Sequence, residues 1–219
     1  MVSSPQPGAP RRAGARLVAL PSPTLAQADD ATLSRAASAG DPRATGVLWD
    51  RFSPLVRRML RRTLGPQADV ELLLQQVFVR VVDQLSTLPE SAQLRPFVVA
   101  ITARLLQAEL RRHRVRRFLR LRSPWHRTGG GSVAEDSATH SALSSLYDVL
   151  DQLDADARLA FTLRHFEGLP ITELASATDA SVSSAKRRLA RASLRVQAAL
   201  GNDAAFKAYA TAASLGDTP

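Results

Sequence analysis

From Asp30 to Ala199 the apolar residues recur at intervals of three and four, with no strand-length alternation of apolar and polar residues. That spacing puts them on one face of an α-helix, whereas a half-buried strand needs a period of two. The pattern predicts an all-α fold. Helix ends follow from capping chemistry. Gly40-Asp41-Pro42 stops one segment and starts the next, because Asp caps well and Pro suits a first turn whose N–H has no intrahelical partner. Gly65-Pro66 ends that next helix, whose buried stripe is Val47, Leu48, Phe52, Leu55, Val56, Met59 and Leu60. Asp69 caps a third, with Val70, Leu73, Leu74, Val77, Val81 and Leu85 inward. A polar loop at 86–93 precedes a fourth, which starts near Arg95-Pro96 and turns Phe97, Val98, Ile101, Leu105 and Leu110 inward.

Composition divides the chain. Residues 1–24 are rich in Pro, Ser, Gly and Ala without a period, and are expected to form a disordered extension. Residues 30–122 form one helical domain. Residues 123–140, with Gly129-Gly130-Gly131-Ser132 inside, read as a flexible linker. Residues 141–200 form a second domain and 201–219 a weakly patterned tail. In the second, Leu143, Leu146, Tyr147, Leu150 and Leu153 mark one helix; Asp154 or Asp156 caps another, which ends at Gly168. The expected architecture is two small helical domains joined by a flexible linker.

The second domain contains a helix-turn-helix pattern at 169–199. A short helix opens at Pro170 with Ile171, Leu174 and Ala175 on one face. Thr178-Asp179-Ala180 breaks it, Asp being a residue type that tolerates the left-handed turn conformation. Ser181 caps a second helix, with Val182, Ala185, Leu189, Ala192 and Val196 on its packing side. Ser184, Arg187, Arg188, Arg191 and Arg195 lie opposite, and Lys186 is on the flank. Two readings stand at this point: a helix laid in the DNA major groove, or an amphipathic hairpin with a solvated charged face.

Charge favours the first. The formal net charge is +9, from 29 Lys and Arg against 20 Asp and Glu. The fourth helix runs into Arg111, Arg112, Arg114, Arg116 and Arg117, and Glu109 is the one acid between Arg95 and Arg127. Like charge at that density is self-repulsive unless an anion neutralises it, which points to nucleic acid. A membrane-surface helix is the lesser rival, since it needs a broad apolar face through the basic turns and has only Val115, Phe118, Leu119 and Leu121 to form one.

The remaining chemistry is sparse. The chain has no cysteine, which excludes disulfides and thiolate metal sites and suits a reducing compartment. His113, His126, His140 and His165 are scattered, without the spacing of a helical metal pair. No metal, cofactor or catalytic activity is expected. No apolar run approaches a membrane span, and Leu17–Leu20 is too short for a signal-peptide core. A cytoplasmic protein without membrane insertion is expected.

Four segments in order carry a family resemblance. They are LWDRFSPLVRRMLRRTLG (48–65), ELLLQQVFVRV (71–81), RPFVVAITARLLQAELRRHRVRR (95–117) and LDADARLAFTLRHFEGLPITELASATDASVSSAKRRLARA (153–192). Between about Leu33 and Ala199 the chain resembles the extracytoplasmic-function sigma factors of bacteria. The resemblance implies a non-catalytic protein, monomeric when free, that joins core RNA polymerase, places it on promoter DNA and answers to an anti-sigma factor. It implies that Glu71, Leu72, Gln75 and Gln76 meet the polymerase. It implies that the 86–93 loop and the helix after it, with Arg95, Arg104, Arg111, Arg112 and Arg114, meet the −10 element. Ser183, Ser184, Lys186, Arg187, Arg188 and Arg191 would meet the −35 element. The chain departs from the family pattern at Leu72 and Gln76, where acids are usual, at Arg104 and Ala108, where Asn and Asp are usual, and at Thr178-Asp179 in the turn. These departures keep open an alternative, a sigma-derived DNA-binding regulator or decoy that does not itself direct initiation.

Overall fold

The computed structural model describes residues 23–66, 68–89, 92–121 and 137–201, and no strand occurs among them. The helices are α1 (Pro23–Ala26), α2 (Asp30–Ser38), α3 (Pro42–Leu64), α4 (Val70–Gln84), α5 (Leu94–Leu121), α6 (Ser137–Leu150), α7 (Ala155–His165), α8 (Ile171–Ala177) and α9 (Val182–Leu200). The expected caps form. Asp41 accepts from the Arg43 N–H at 2.8 Å, Asp69 from Leu72 at 3.1 Å, and Ser181 from Ser184 at 3.2 Å. Each satisfies a first-turn donor that has no partner within its helix.

Several local expectations need correction. Helix begins earlier than the pattern suggested: α1 overlaps the end of the 1–24 extension, and Arg51 fastens it by donating to the Ala26 and Ala28 carbonyls at 3.1 and 3.0 Å. The 86–93 loop opens with a 3₁₀ turn, Leu85–Thr87, whose Leu85 is buried. α6 begins at Ser137, inside the stretch read as linker; residues 123–136 of that linker lie outside the described residues, as do 1–22, 122 and 202–219. Pro170 is the N-cap of α8 instead of its first residue, and Val182 is 39% exposed, outside the packed face of α9. Asp154, and not Asp156, caps α7, accepting from the Ala157 N–H at 2.8 Å.

The larger finding is how the two halves meet. Val56, Met59 and Leu60 of α3, Leu74 and Val77 of α4, and Val98, Leu105 and Leu106 of α5 form a buried core. Leu159 and Leu163 of α7, Leu169, and Leu174 and Ala175 of α8 belong to that same core. A second core joins Leu146 and Leu150 of α6, Ala157 and Phe161 of α7, and Ala192, Val196 and Leu200 of α9. α7 feeds both. Residues two apart on a helix point about 200° from each other, so Ala157 and Phe161 face one core while Leu159 and Leu163 face the other. Each fully buried Leu contributes about 1.5–3 kcal/mol of transfer free energy, so the seam between the halves is itself apolar and substantial.

The buried Thr63, Thr162 and Arg158 side chains at the seam are paired, as burial requires. Thr63 and Thr162 hydroxyls lie 3.2 Å apart, and Arg158, 4% exposed, donates from Nε to the Thr63 carbonyl at 2.9 Å. The other end of Arg158 pairs with Asp151. The Tyr147 hydroxyl approaches the Arg61 and Arg62 carbonyls at 3.4 and 3.3 Å. Its ring packs where Gly65 has no side chain: a Cβ there would sit 3.3 Å from the ring, on a backbone with φ of +87°. Gly65 thus serves both the turn after α3 and the close approach of α6.

Candidate nucleic-acid interface

The helix-turn-helix forms as α8 and α9. Asp179 takes φ of +49°, the left-handed conformation expected of the turn. The Ala180 N–H bonds the Ala175 carbonyl at 2.9 Å, closing the end of α8. Ala185, Ala192 and Val196 anchor α9 in the cores, which fixes the rotation of the helix and turns its basic side outward. Ser183, Lys186, Arg187 and Arg191 are exposed, and Ser184 and Arg188 half-buried. The Ser181 hydroxyl also meets the Ser183 and Ser184 hydroxyls, each at 3.0 Å, so the start of α9 presents an ordered polar cluster.

The second basic element is the later part of α5. Arg95, Arg104, Arg111, Arg112 and Arg114 are all exposed, while Val98, Ile101, Leu105 and Leu110 on the other side are buried. Arg104 folds back on its own helix, Nε to the Ala100 carbonyl at 3.3 Å.

α7 brings the two elements together. The Asp156 carboxylate accepts from Gln107 at 2.7 Å and Arg111 at 3.2 Å on α5, and pairs with Arg188 of α9 at 3.1 Å. Asp154 pairs with Arg191 at 3.6 Å. Around these acids lies an open cleft of about 470 Å³ lined by Arg111 and Arg114 from α5 and Arg187, Arg188 and Arg191 from α9. Arg95, Arg104 and Arg112 are not among its lining residues. Burial pushes the Asp156 carboxyl up, but hydrogen bonds from Gln107 and Arg111 and the charges of Arg188 and Arg111 outweigh it, and hold the pKa below the ordinary 3.8.

These contacts correct the premise that the basic run of α5 has no acid to neutralise it. Arg111 is met by Asp156 from 45 positions away, and Arg112 by Glu109 of its own helix. Sequence reasoning missed Asp154, Asp156 and Gln107 as members of the interface. No local signal marks them, because the pairing exists only once α7 lies between α5 and α9.

The third set of residues stands apart on α4. Leu72 is 51% exposed, Glu71 and Gln75 are exposed, and Gln76 is half-buried. Glu71 is held by Arg57 of α3 through two hydrogen bonds, at 2.9 and 3.0 Å. Val79, 60% exposed and seven residues beyond Leu72, extends an apolar surface along that side. Among the described residues no group of His, Asp and Glu could hold a metal ion, and no helix is long and apolar enough to cross a membrane.

Comparison with known proteins bears directly on these elements. Residues 48–116 match the model of sigma-70 region 2, and residues 143–196 that of sigma-70 region 4. Together they take in more than half of the chain, and they fall on α3–α5 and α6–α9. The chain belongs to the extracytoplasmic-function sigma factors. It is similar to the RNA polymerase sigma factor NccH of Alcaligenes xylosoxydans xylosoxydans, 28% identical over 185 residues, covering 78% of this chain and 94% of that one. It is also similar to the ferric citrate uptake sigma factor FecI of Escherichia coli, 29% identical over 140 residues, covering 63% and 79%. Two solved structures share the fold of this sigma factor. CnrH, in its complex with the cytosolic domain of CnrY, has a TM-score of 0.57 at 22% identity over 80% of this chain and 99% of that one. RpoE of Bartonella quintana, in complex with the anti-sigma factor NepR, has a TM-score of 0.54 at 18% identity over 71% and 95%.

Proposed function

We infer that this sigma factor binds core RNA polymerase, directs it to promoters and takes part in opening the duplex. The observation that supports this most is the presence of two basic helices, α5 and α9, in the segments that match the two sigma regions. In this reading α9 enters the −35 major groove. Ser183, Ser184, Arg187 and Arg188, near its N-terminal end, approach base edges, while Lys186 and Arg191 grip phosphates. Arg95, Arg104, Arg111, Arg112 and Arg114 hold DNA at the −10 element, where each phosphate contact releases counterions. The α4 surface of Glu71, Leu72, Gln75 and Gln76 docks on the polymerase. The protein supplies binding and placement, and the bond-making chemistry belongs to the polymerase. It acts in the cytoplasm, where the polymerase is, and is monomeric when free.

Two of the similar structures are complexes, one with the cytosolic domain of CnrY and one with the anti-sigma factor NepR. On that likeness the partners of this chain include an anti-sigma factor besides promoter DNA and the polymerase.

One observation keeps a second reading in view. Leu72 and Gln76 stand on the polymerase-facing side where the family's acids are usual, and a chain that had lost polymerase affinity would be a DNA-binding regulator or decoy. Permanganate footprinting of promoter duplexes separates the two. Reactive thymines near −10 with core polymerase and this chain together, and with neither alone, support the sigma factor. Protection at −35 without reactive thymines selects the regulator.

A further inference from the structure

The helix that carries Arg95, Arg104 and the basic run starts without good capping chemistry of its own. Gln93, the residue before α5, is not among the side chains that cap well, and Pro96 in the first turn has no N–H to bond. The main-chain N–H of Leu94 still needs an acceptor, because Leu94 is fully buried and an unmet buried donor is destabilising. The acceptor comes from 64 positions away. Asp30, at the start of α2, accepts the Leu94 N–H at Oδ2 over 2.8 Å.

The same carboxylate is held from its other side. Arg51 of α3 donates to Asp30 Oδ1 at 3.2 Å, while its second terminal nitrogen donates to the Ala26 and Ala28 carbonyls. One guanidinium thus fixes the chain from 26 to 30, and with it the direction of the carboxylate. Asp30 also sits at the N-terminal ends of two helices, α2 and α5, where both helix dipoles favour a negative charge. Apolar contact backs the arrangement. α2 packs against the 3₁₀ turn, and Leu33 of α2, Leu85 of that turn and Leu94 are all buried in the core of α3–α5.

We propose that Asp30 is a positioning residue for the −10 interaction: its carboxylate, aimed by Arg51, sets the first turn of α5 and so the place of Arg95 beside the DNA strand. The proposal rests on the reading of α5 as the helix that meets the −10 element. The sigma-70 region 2 match begins at residue 48 and assigns nothing to Asp30. A helix start that loses its acceptor frays, and fraying displaces Arg95 early because it is the second residue of α5. The basic run from Arg111 onward lies far down the helix and keeps its place. Apparent affinity for the −10 strand then falls with the fraction of chains whose first turn is formed, while contacts made by α9 are untouched.

Two variants of the full chain separate the hydrogen bond from the charge. Asp30→Asn keeps an oxygen acceptor for the Leu94 N–H, whereas Asp30→Leu keeps the branched shape and removes the acceptor. Amide exchange followed by NMR at Leu94 should be at least about tenfold faster in Asp30→Leu, and close to the parent in Asp30→Asn. The amides of Ala192 and Val196 on α9 should be unchanged in both. Permanganate footprinting with core polymerase, on promoter duplexes that the parent opens, gives the functional readout. Asp30→Leu should lower thymine reactivity near −10 about tenfold and leave protection at −35 unchanged, and Asp30→Asn should retain most of the reactivity. Arg51→Met, which no longer aims the carboxylate, should fall between them. Footprints of Asp30→Leu equal to the parent's, or an unchanged Leu94 exchange rate, overturn the proposal. So does a joint fall in −10 reactivity and −35 protection, which marks a general loss of fold, or equal damage in Asp30→Asn, which assigns the effect to charge. A parent that opens no duplex removes the −10 reading and the proposal with it; a competent parent matched by Asp30→Leu removes the proposal alone.

Discussion

Arg158 Nε donates to the main-chain carbonyl of Thr63 at 2.9 Å, across 95 positions of sequence. The guanidinium is buried, with Asp151 at its other end, so it ties α7 to the end of α3 while neutralising an acid of its own half. Removing the guanidinium leaves the Thr63 carbonyl without its donor and Asp151, whose side chain is 31% exposed, without its cation, and hydrogen bonds to charged groups are worth about 1.5–3 kcal/mol. Arg158→Met keeps most of the volume and should destabilise the chain by about 3 kcal/mol in urea melts. A loss under about 1 kcal/mol would mean that water replaces the guanidinium at both ends.

The cap of the recognition helix offers a milder test. Ser181 accepts from the Ser184 N–H and touches both serine hydroxyls that follow. Ser181→Ala should cost about 1 kcal/mol, and Ser181→Asp should recover most of it, since Asp caps equally well. Thermal melts of the two variants check the ordering.

Acid should weaken the fold in two distinguishable steps. His165 is held below its ordinary 6.5 by burial and by the Arg164 charge, and Asp156 lies below 3.8 for the reasons given above. Both groups therefore bind fewer protons folded than unfolded, so both contribute stability that falls with falling pH. The His165 share is fully present above 6.5 and is lost as pH drops through its folded value. The Asp156 share persists to the carboxylate range and is lost as pH falls through its own folded value. Stability measured against pH should lose the upper step in His165→Gln and the lower one in Asp156→Asn. Profiles parallel to wild type would contradict the assignment.

Much of this was legible in the sequence. The caps Asp41, Asp69 and Ser181 and the left-handed Asp179 were, because each depends on atoms within four residues. The exposed faces of α5 and α9 followed from helical period for the same reason. Asp156 and Asp30 were not legible. Their roles depend on partners 45 and 64 positions away, and a lone acid beside a helix start reads as a cap unless the tertiary arrangement is known.

On the recognition helix, contact type should separate by residue. If Lys186 meets a phosphate, Lys186→Ala weakens binding to all duplexes alike and reduces the salt slope by about one. If Arg187 or Arg188 reads a base, its loss costs about 1–3 kcal/mol and relaxes preference at one position. Binding curves unchanged by all three would remove this face from the interface.

On α4, Leu72 and Gln76 replace two acids usual in the family. Rim ion pairs are worth about 0.2–1 kcal/mol each, so Leu72→Asp with Gln76→Glu should tighten polymerase binding about 2- to 30-fold and make it more salt-sensitive. Fluorescence anisotropy with core polymerase reads both.

Initiation itself is the most direct test. Core polymerase, the purified chain and a set of duplexes carrying candidate promoters should yield run-off transcripts of defined length that require the chain. Arg188→Ala should reduce them, and a duplex altered only at −35 should abolish them. Transcription unaffected by the chain on every promoter, together with measurable duplex binding, would contradict the account and leave a DNA-binding regulator in place of a sigma factor.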